Sequence, residues 1–115
     1  MSPKSDSIFI EHILESISAI EDFSKNMPQK ELSENRLKQS AIIREIEIIG
    51  EATKNISKNI KEKYPKVLWT EISETRDKMI HHYFGVDLEI VWEIIRTGLP
   101  ELKKQMLEIK GNLNL

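Results

Sequence analysis

Residues 76–84, with the sequence RDKMIHHYF, hold the densest group of chemically active side chains in this protein. They include Arg76, Asp77, the adjacent histidines His81 and His82, and Tyr83. A histidine can move protons, and an arginine can stabilise negative charge that develops on a phosphate. The combination therefore matches metal-independent attack on a phosphodiester.

An unbroken helix would not bring all of these groups together. At about 100° per residue, Ile80 lies about 40° and Tyr83 about 20° from Arg76, so Arg76 and Tyr83 can point at one target. His81 lies about 140° around the same ideal helix. Either the helix ends near residues 81–84, or a second chain completes the site.

Two other interpretations of the cluster are open. Arg76 and Asp77 could make ordinary surface ion pairs, with the histidines at a helix C-terminus and Tyr83 half-buried. A metal site is the weaker alternative, because His81 and His82 diverge on a helix and no further ligand follows at the spacing of helical zinc sites. We expect no metal and no cofactor.

Lys54, Lys58 and Lys61 are a second polar feature, spaced to share one face of a continuous helix. Such a stripe is usually a solvated surface, and contact with an RNA phosphate backbone is the functional alternative. The expected topology places these lysines away from the end of the third helix within one subunit.

The composition limits the class of protein. A length of 115 residues is enough for one domain, and 39% hydrophobic with 31% charged residues is typical of a soluble helical protein. A net charge of -2 argues against nucleic-acid binding driven by overall charge. The absence of cysteine excludes disulfides and thiolate chemistry, and no apolar run is long enough to cross a membrane, so we expect a cytoplasmic protein.

Apolar residues at three- and four-residue steps predict helices over residues 6–26, 34–61 and 70–83. Pro28 indicates a loop over 26–34, with Ser33 or Asn35 as the cap of the second helix, and Thr70 is the predicted cap of the third. Gly50, inside the second helix, predicts close packing against another backbone.

A fourth apolar stripe follows at residues 88–95, after a stop at Gly85 and a cap at Asp87. Gly98 and Pro100 either kink this helix or separate a fifth that ends near Lys110. The pattern predicts an all-α, up-and-down bundle of four to five helices. We expect residues 1–115 to be one domain with frayed ends at 1–5 and 111–115.

Three segments together resemble the HEPN domain family, and within it the HepT-like toxins of MNT/HEPN toxin–antitoxin systems. They are IIREIEIIGEATKNI (42–56), YPKVLWTEISETRDKMIHHYFGVDLEIVWEII (64–95) and LPELKKQM (99–106). The most specific part is a motif in which four residues separate an arginine from a histidine and one residue separates the histidine from a tyrosine. In this chain the motif is Arg76, His81 and Tyr83, with Asp77 directly after the arginine.

The resemblance implies a homodimer whose motif lines a cleft between subunits, and a metal-independent ribonuclease. Arg76 and His81 would be the catalytic pair, although His82 could take the role of His81. The resemblance also implies a partner, a minimal nucleotidyltransferase antitoxin that transfers AMP to Tyr83. Phosphate and bulk added there would exclude RNA from the cleft.

Two hypotheses of other classes compete with the ribonuclease. The same cleft could belong to a non-catalytic module that binds a nucleotide or the partner nucleotidyltransferase. The wide apolar stripe of the second helix could also belong to a purely structural dimerisation bundle. RNA cleavage in excess EDTA, compared between the wild type and substitutions of Arg76 and His81, tests the ribonuclease. Tight partner or nucleotide binding without RNA turnover would favour the binding module, and a monomer at micromolar concentration would count against the structural bundle.

Overall fold

The computed structural model describes residues 3–81 and 85–114, with side chains from residue 5 onward except that of His81. The α-helices are α1 (Pro3–Ser24), α2 (Gln29–Glu34), α3 (Arg36–Lys54), α4 (Lys58–Lys63), α5 (Trp69–Ser73), α6 (Thr75–Met79), α7 (Leu88–Glu93) and α8 (Leu99–Leu113). Two short strands, β1 (Ile80–His81) and β2 (Gly85–Val86), form an antiparallel pair. The predicted all-α helical bundle is confirmed.

Helix α1 forms the centre of the core. It presents Ile10, Ile13, Ile17 and Ile20 at helical spacing, and each is almost completely buried. This face packs mainly on α3 and next on α8. Because these four side chains follow one stripe, α1 buries a continuous apolar face between two neighbours.

Ion pairs and one buried carboxylate show the direction of the helices around α1. Lys103 of α8 contacts Glu21 at 3.0 Å, and Lys110 contacts Glu11 at 2.6 Å, so α8 runs antiparallel to α1. Asp6, at the start of α1, lies beside Ser57, just after the end of α3. Helices α1 and α3 are therefore antiparallel too.

The second predicted helix is divided in the structure. Helix α3 ends at Lys54, and α4 begins at Lys58 after Ser57 caps it by accepting a hydrogen bond from the Ile60 backbone N–H. The buried Asp6 carboxylate accepts hydrogen bonds from the Ser57 backbone N–H (2.8 Å) and hydroxyl (2.7 Å). A continuous helix over residues 34–61 was wrong because this tertiary contact stabilises a capped break.

Local capping signals give mixed results. Asn35 caps α3 by accepting a hydrogen bond from the Lys38 backbone N–H at 3.0 Å, and Asp87 caps α7 through the Ile90 N–H at 3.2 Å, so both predictions are confirmed. The predicted loop over residues 26–34 contains the short helix α2, which buries Leu32. Thr70 lies inside α5 and does not cap it.

The C-terminal part is one long helical run. A π-helical turn over Ile94–Gly98 joins α7 to α8, so the chain continues through Gly98 and Pro100 in helical form. Helix α8 continues to Leu113, through most of the segment expected to fray, and the Asn112 side-chain amide donates a hydrogen bond to the Tyr64 hydroxyl at 2.7 Å. In the described residues, no helix combines the length and apolar character needed to cross a bilayer.

Candidate active site

Arg76 is held on α6, a helix of five residues that follows α5 almost directly. Glu74 lies between the two helices, and the Thr75 hydroxyl donates to the carbonyls of Glu71 (2.9 Å) and Ile72 (2.8 Å) at the end of α5. These bonds satisfy carbonyl groups that the helix end would otherwise leave without partners. The break turns α6 so that Arg76 faces α3.

Gly50 allows α5 to lie close to α3. A Cβ atom at this position would lie 3.4 Å from the Ile72 carbonyl oxygen and 3.6 Å from that of Ser73. The predicted close packing of another backbone on Gly50 is confirmed. The contact brings the end of α5, and with it Arg76 on α6, against the middle of α3.

Arg76 makes an ion pair with Glu47 of α3. The Arg76 Nε–H donates a hydrogen bond to Glu47 Oε2 at 2.8 Å, and the two residues are 29 positions apart in the sequence. The arginine side chain is 62% exposed and the glutamate side chain only 24% exposed. The guanidinium is therefore accessible to a ligand while one of its edges is attached to the protein.

The pair lies in a polar cavity of about 410 Å³ between α3 and the α5–α6 segment. Its wall carries three cations and four carboxylates: Arg44, Lys54, Arg76, Glu47, Glu51, Glu74 and Asp77. Lys54 is 3.4 Å from Glu51, and within the described residues Arg44 makes no ion pair. A phosphate here would meet cations that attract it and carboxylates that oppose it.

The histidine of the motif, His81, lies on a β-strand and not on a helix. Helix α6 ends at Met79, whose side chain is completely buried and whose carbonyl accepts a hydrogen bond from the Asp87 N–H at 2.7 Å. The chain then enters β1, in which Ile80 pairs with Val86 and His81 pairs with Gly85. The predicted single helix over residues 70–83 was therefore wrong, because it divides at Glu74 and gives way to a strand at Ile80 and His81.

Helix α6 ends two residues before His81, which agrees with the first of the two explanations for the 140° separation, and the contribution of a second chain stays a prediction. Arg76 is on a helix and His81 on a strand, so angles on one ideal helix do not describe their relation. The glycine at 85 is required locally because its φ of +81° belongs to the left-handed region. His82 and Tyr83 lie outside the described residues, as does the side chain of His81.

The three lysines of the predicted stripe separate. Lys54 lies on α3 and lines the cavity that contains Arg76, closer to the motif than expected. Lys58 and Lys61 lie on α4, beyond the break, and neither lines this cavity; Lys58 pairs with Glu62 at 3.8 Å. One continuous lysine face was therefore wrong, because the capped break at Ser57 reorients the chain.

Glu47 and Arg44 were not identified from the sequence. A signal was present, since Arg44, Glu47, Glu51 and Lys54 follow at steps of three, four and three residues and so share one face of α3. This charged stripe runs along the same part of α3 that carries its seven buried residues, which begin at Ile42. Its partner could not be inferred, because it comes from a distant part of the chain.

A second groove, of about 610 Å³, lies between α3, α5, α7 and α8. It is lined largely by aliphatic side chains, including Ile49, Ile72 and Ile94, and Leu68 at its edge is 61% exposed. Arg76 does not line it. The larger of these two cavities is therefore mainly apolar and does not contain Arg76.

Known proteins with similar sequences agree on one class. A protein of Methanocaldococcus jannaschii named "Putative RNase MJ1216" is 44% identical over 93% of this chain and 89% of its own length. The "Probable ribonuclease HepT" of Thermococcus cleftensis is 37% identical over 89% of this chain and 93% of its own length. "Gamma-glutamylcyclotransferase and putative RNase MJ0434" of M. jannaschii is 43% identical over 93% of this chain, which spans 48% of that relative.

No solved structure gives a significant match to this chain. The sequence profile described as "Ribonuclease HepT-like" matches residues 13–109, which include α3, the polar cavity and the positions of the arginine, histidine and tyrosine motif. The match confirms the resemblance drawn from the motif and the predicted enzyme class. The chain belongs to the ribonuclease HepT-like family.

Proposed function

We propose that this protein is the toxin of a toxin–antitoxin system and an endoribonuclease that cleaves RNA without a metal ion. The observation that carries the proposal is Arg76, an accessible guanidinium attached to Glu47 at a polar cavity, five residues before His81. Family membership supports the same reaction class.

In the proposed reaction, the ribose 2′-hydroxyl attacks the adjacent phosphorus and the 5′-oxygen leaves. His81 takes the proton from the 2′-hydroxyl or gives one to the leaving oxygen, and His82 is the alternative for this role. Arg76 stabilises the negative charge of the pentacoordinate phosphorane, because a guanidinium presents several N–H donors to phosphate oxygens. Tyr83 positions the phosphate, and Asp77 lies beside Arg76 on the cavity wall.

Lys54 is the lysine best placed to contact an adjacent RNA phosphate, because it lines the same cavity as Arg76. Lys58 and Lys61 are less suited to this role since they lie outside the cavity. The overall charge of -2 supports this local arrangement, in which a few cations near the motif hold the RNA.

The proposal includes two protein partners. A second copy of the chain would complete the cleft that the motif lines, as the resemblance implies, and the apolar groove beside the exposed Leu68 is a further surface that this pairing would cover. A minimal nucleotidyltransferase would act as antitoxin by joining the Tyr83 oxygen to the α-phosphorus of ATP, with release of pyrophosphate. The added phosphodiester would repel RNA from the site.

The central experiment measures RNA cleavage by the purified protein in excess EDTA. We expect the wild type to cleave, and Arg76→Ala and His81→Ala to lower the rate by about 100-fold or more, as is typical for loss of one charge-stabilising or proton-transfer group. Arg96→Ala is a matched control, since Arg96 is an exposed arginine that stacks on Trp92 away from the cavity. Equal cleavage by all four proteins would refute the assignment.

A second experiment tests the antitoxin. Incubation with ATP and a nucleotidyltransferase of this type should add the mass of one AMP to the wild type and to Arg76→Ala, but not to Tyr83→Phe, and modified wild type should lose RNA cleavage. Modification with full retention of cleavage would contradict the proposed neutralisation. Tight nucleotide binding with no RNA turnover would favour the non-catalytic alternative.

A further inference from the structure

The Glu47 carboxylate holds the Arg76 guanidinium through a single hydrogen bond. The bond runs from Nε, the nitrogen next to the aliphatic stem, to Oε2 at 2.8 Å. An arginine has five N–H donors in a planar fork, so a single bond at Nε leaves the four donors of the terminal nitrogens for another ligand. This geometry differs from a bidentate pair, which would engage a terminal nitrogen as well.

The surroundings show why Arg76 needs such a partner. Its side chain is 62% exposed, and the cavity wall also carries the carboxylates of Glu51, Glu74 and Asp77. Without Glu47, the guanidinium could turn toward any of these acids. The position of Glu47 is more restricted than that of Arg76, since Glu47 belongs to α3, and α5 packs against this helix at Gly50.

We propose that Glu47 is the positioning residue for Arg76: it fixes the plane of the guanidinium through Nε so that the terminal N–H groups are presented to the scissile phosphate. This inference rests on the proposed ribonuclease function. It assigns Glu47 no direct contact with RNA.

The same carboxylate has an electrostatic disadvantage. Four carboxylates and three cations line the cavity, so its wall has a formal charge of -1, and the approaching RNA is an anion. Glu47 therefore weakens RNA binding while it orients Arg76. These two effects act on different kinetic constants, because orientation affects the chemical step and repulsion affects binding.

The test is steady-state cleavage of a fluorogenic RNA by the wild type, Glu47→Gln, Glu47→Ala and Glu21→Ala. Glutamine keeps an oxygen that accepts from Nε but removes the charge, so kcat should stay within about threefold of the wild type while KM falls. Alanine removes the acceptor as well as the charge, so kcat should fall at least tenfold while KM falls as in Glu47→Gln. Glu21→Ala removes the acid of another exposed interhelical ion pair, that with Lys103, and should change neither constant.

Two kinetic results would overturn the proposal. An unchanged or higher kcat in Glu47→Ala would show that Glu47 competes with RNA for Arg76 and does not orient it. Equal losses of kcat in the glutamine and alanine variants would show that the hydrogen bond at Nε is not the important property. Thermal unfolding of all variants separates these results from a loss of folded protein.

A spectroscopic measurement is independent of catalysis. The Arg76 Nε–H signal in a ¹H–¹⁵N spectrum, assigned by its loss in Arg76→Lys, should have the downfield shift of a hydrogen bond to a carboxylate. It should move toward the position of a solvated arginine in Glu47→Ala and stay unchanged in Glu21→Ala. If the wild type cleaves no RNA, the ribonuclease function fails, whereas an Nε–H signal that is insensitive to Glu47→Ala refutes the positioning contact itself.

Discussion

Met79 lies between the two halves of the motif, and its side chain is completely buried at the end of α6. Replacement by alanine removes three side-chain atoms from the core, which costs about 2 kcal/mol at roughly 0.8 kcal/mol for each methylene-sized group. The void that remains adds about 24 cal/mol for each Å³. We therefore expect Met79→Ala to lower the free energy of unfolding by about 3 to 4 kcal/mol.

Urea unfolding followed by circular dichroism at a fixed protein concentration measures this change. With a slope of about 1–3 kcal/mol per M for a small protein, the midpoint should fall by about 1 to 4 M. Met79→Leu is the control, because it nearly conserves volume and should cost less than about 1.5 kcal/mol. A loss below about 1 kcal/mol for Met79→Ala, with an unchanged slope, would refute the conclusion that the motif segment is attached to the core at this residue.

Three further predictions follow from contacts at α3 and α4. Gly50→Ala should leave the free energy of unfolding unchanged or raise it by up to about 1 kcal/mol, since a Cβ fits at 3.4 Å and alanine favours the helix. Gly50→Leu should lower it by about 1–3 kcal/mol through overpacking. A leucine variant that is more stable to heat than the alanine variant would contradict the packing. Asp6→Ala should cost about 1–3 kcal/mol, because it leaves the partly buried Ser57 N–H and hydroxyl without their acceptors. A loss within about 0.5 kcal/mol in urea unfolding would exclude a stabilising role. Binding of a non-cleavable 2′-O-methyl RNA is measured by fluorescence anisotropy at several salt concentrations. Lys54→Ala should reduce the slope of log affinity against log salt by about 0.7, whereas Lys58→Ala should leave this slope unchanged. Equal effects of the two substitutions would argue against an RNA contact specific to the cavity.

The features that the sequence predicted correctly depend on local chemistry. Asn35 and Asp87 cap helices because their side chains accept hydrogen bonds from backbone N–H groups three residues later. A close neighbouring backbone was predicted at Gly50 from the cost of a glycine inside a helix, and the carbonyls of α5 lie beside it, at a distance where a Cβ also fits. The arginine, histidine and tyrosine motif was also visible from spacing, and its catalytic roles remain predictions.

Helix ends were predicted less well, since apolar periodicity can continue across a break. Ile56 and Ile60 are both buried, although α3 ends before the first and α4 begins before the second. The break depends on Asp6, which is 51 residues from Ser57. In the same way, β1 and β2 have two residues each, too few for strand alternation to be recognised, so the end of α6 at Met79 was missed.

The contact between Arg76 and Glu47 shows a different limit. Both residues belong to segments whose helical character was predicted, yet their pairing depends on how α5 and α6 divide and on the closeness of α5 to α3. A single sequence gives the faces of helices but not which faces meet. The charged stripe on α3 was therefore recognisable as a stripe, while its partner was not.

The contacts of α1 show that the folded core begins earlier in the chain than the region of family similarity. The family match begins at residue 13, but Ile10 is completely buried and Asp6 holds the turn between α3 and α4. A chain trimmed to begin at residue 13 would lose a core side chain together with both acceptors of Ser57. Recombinant forms of this protein should keep α1 from its start at Pro3, since the limits of a family match are not the limits of what the core needs.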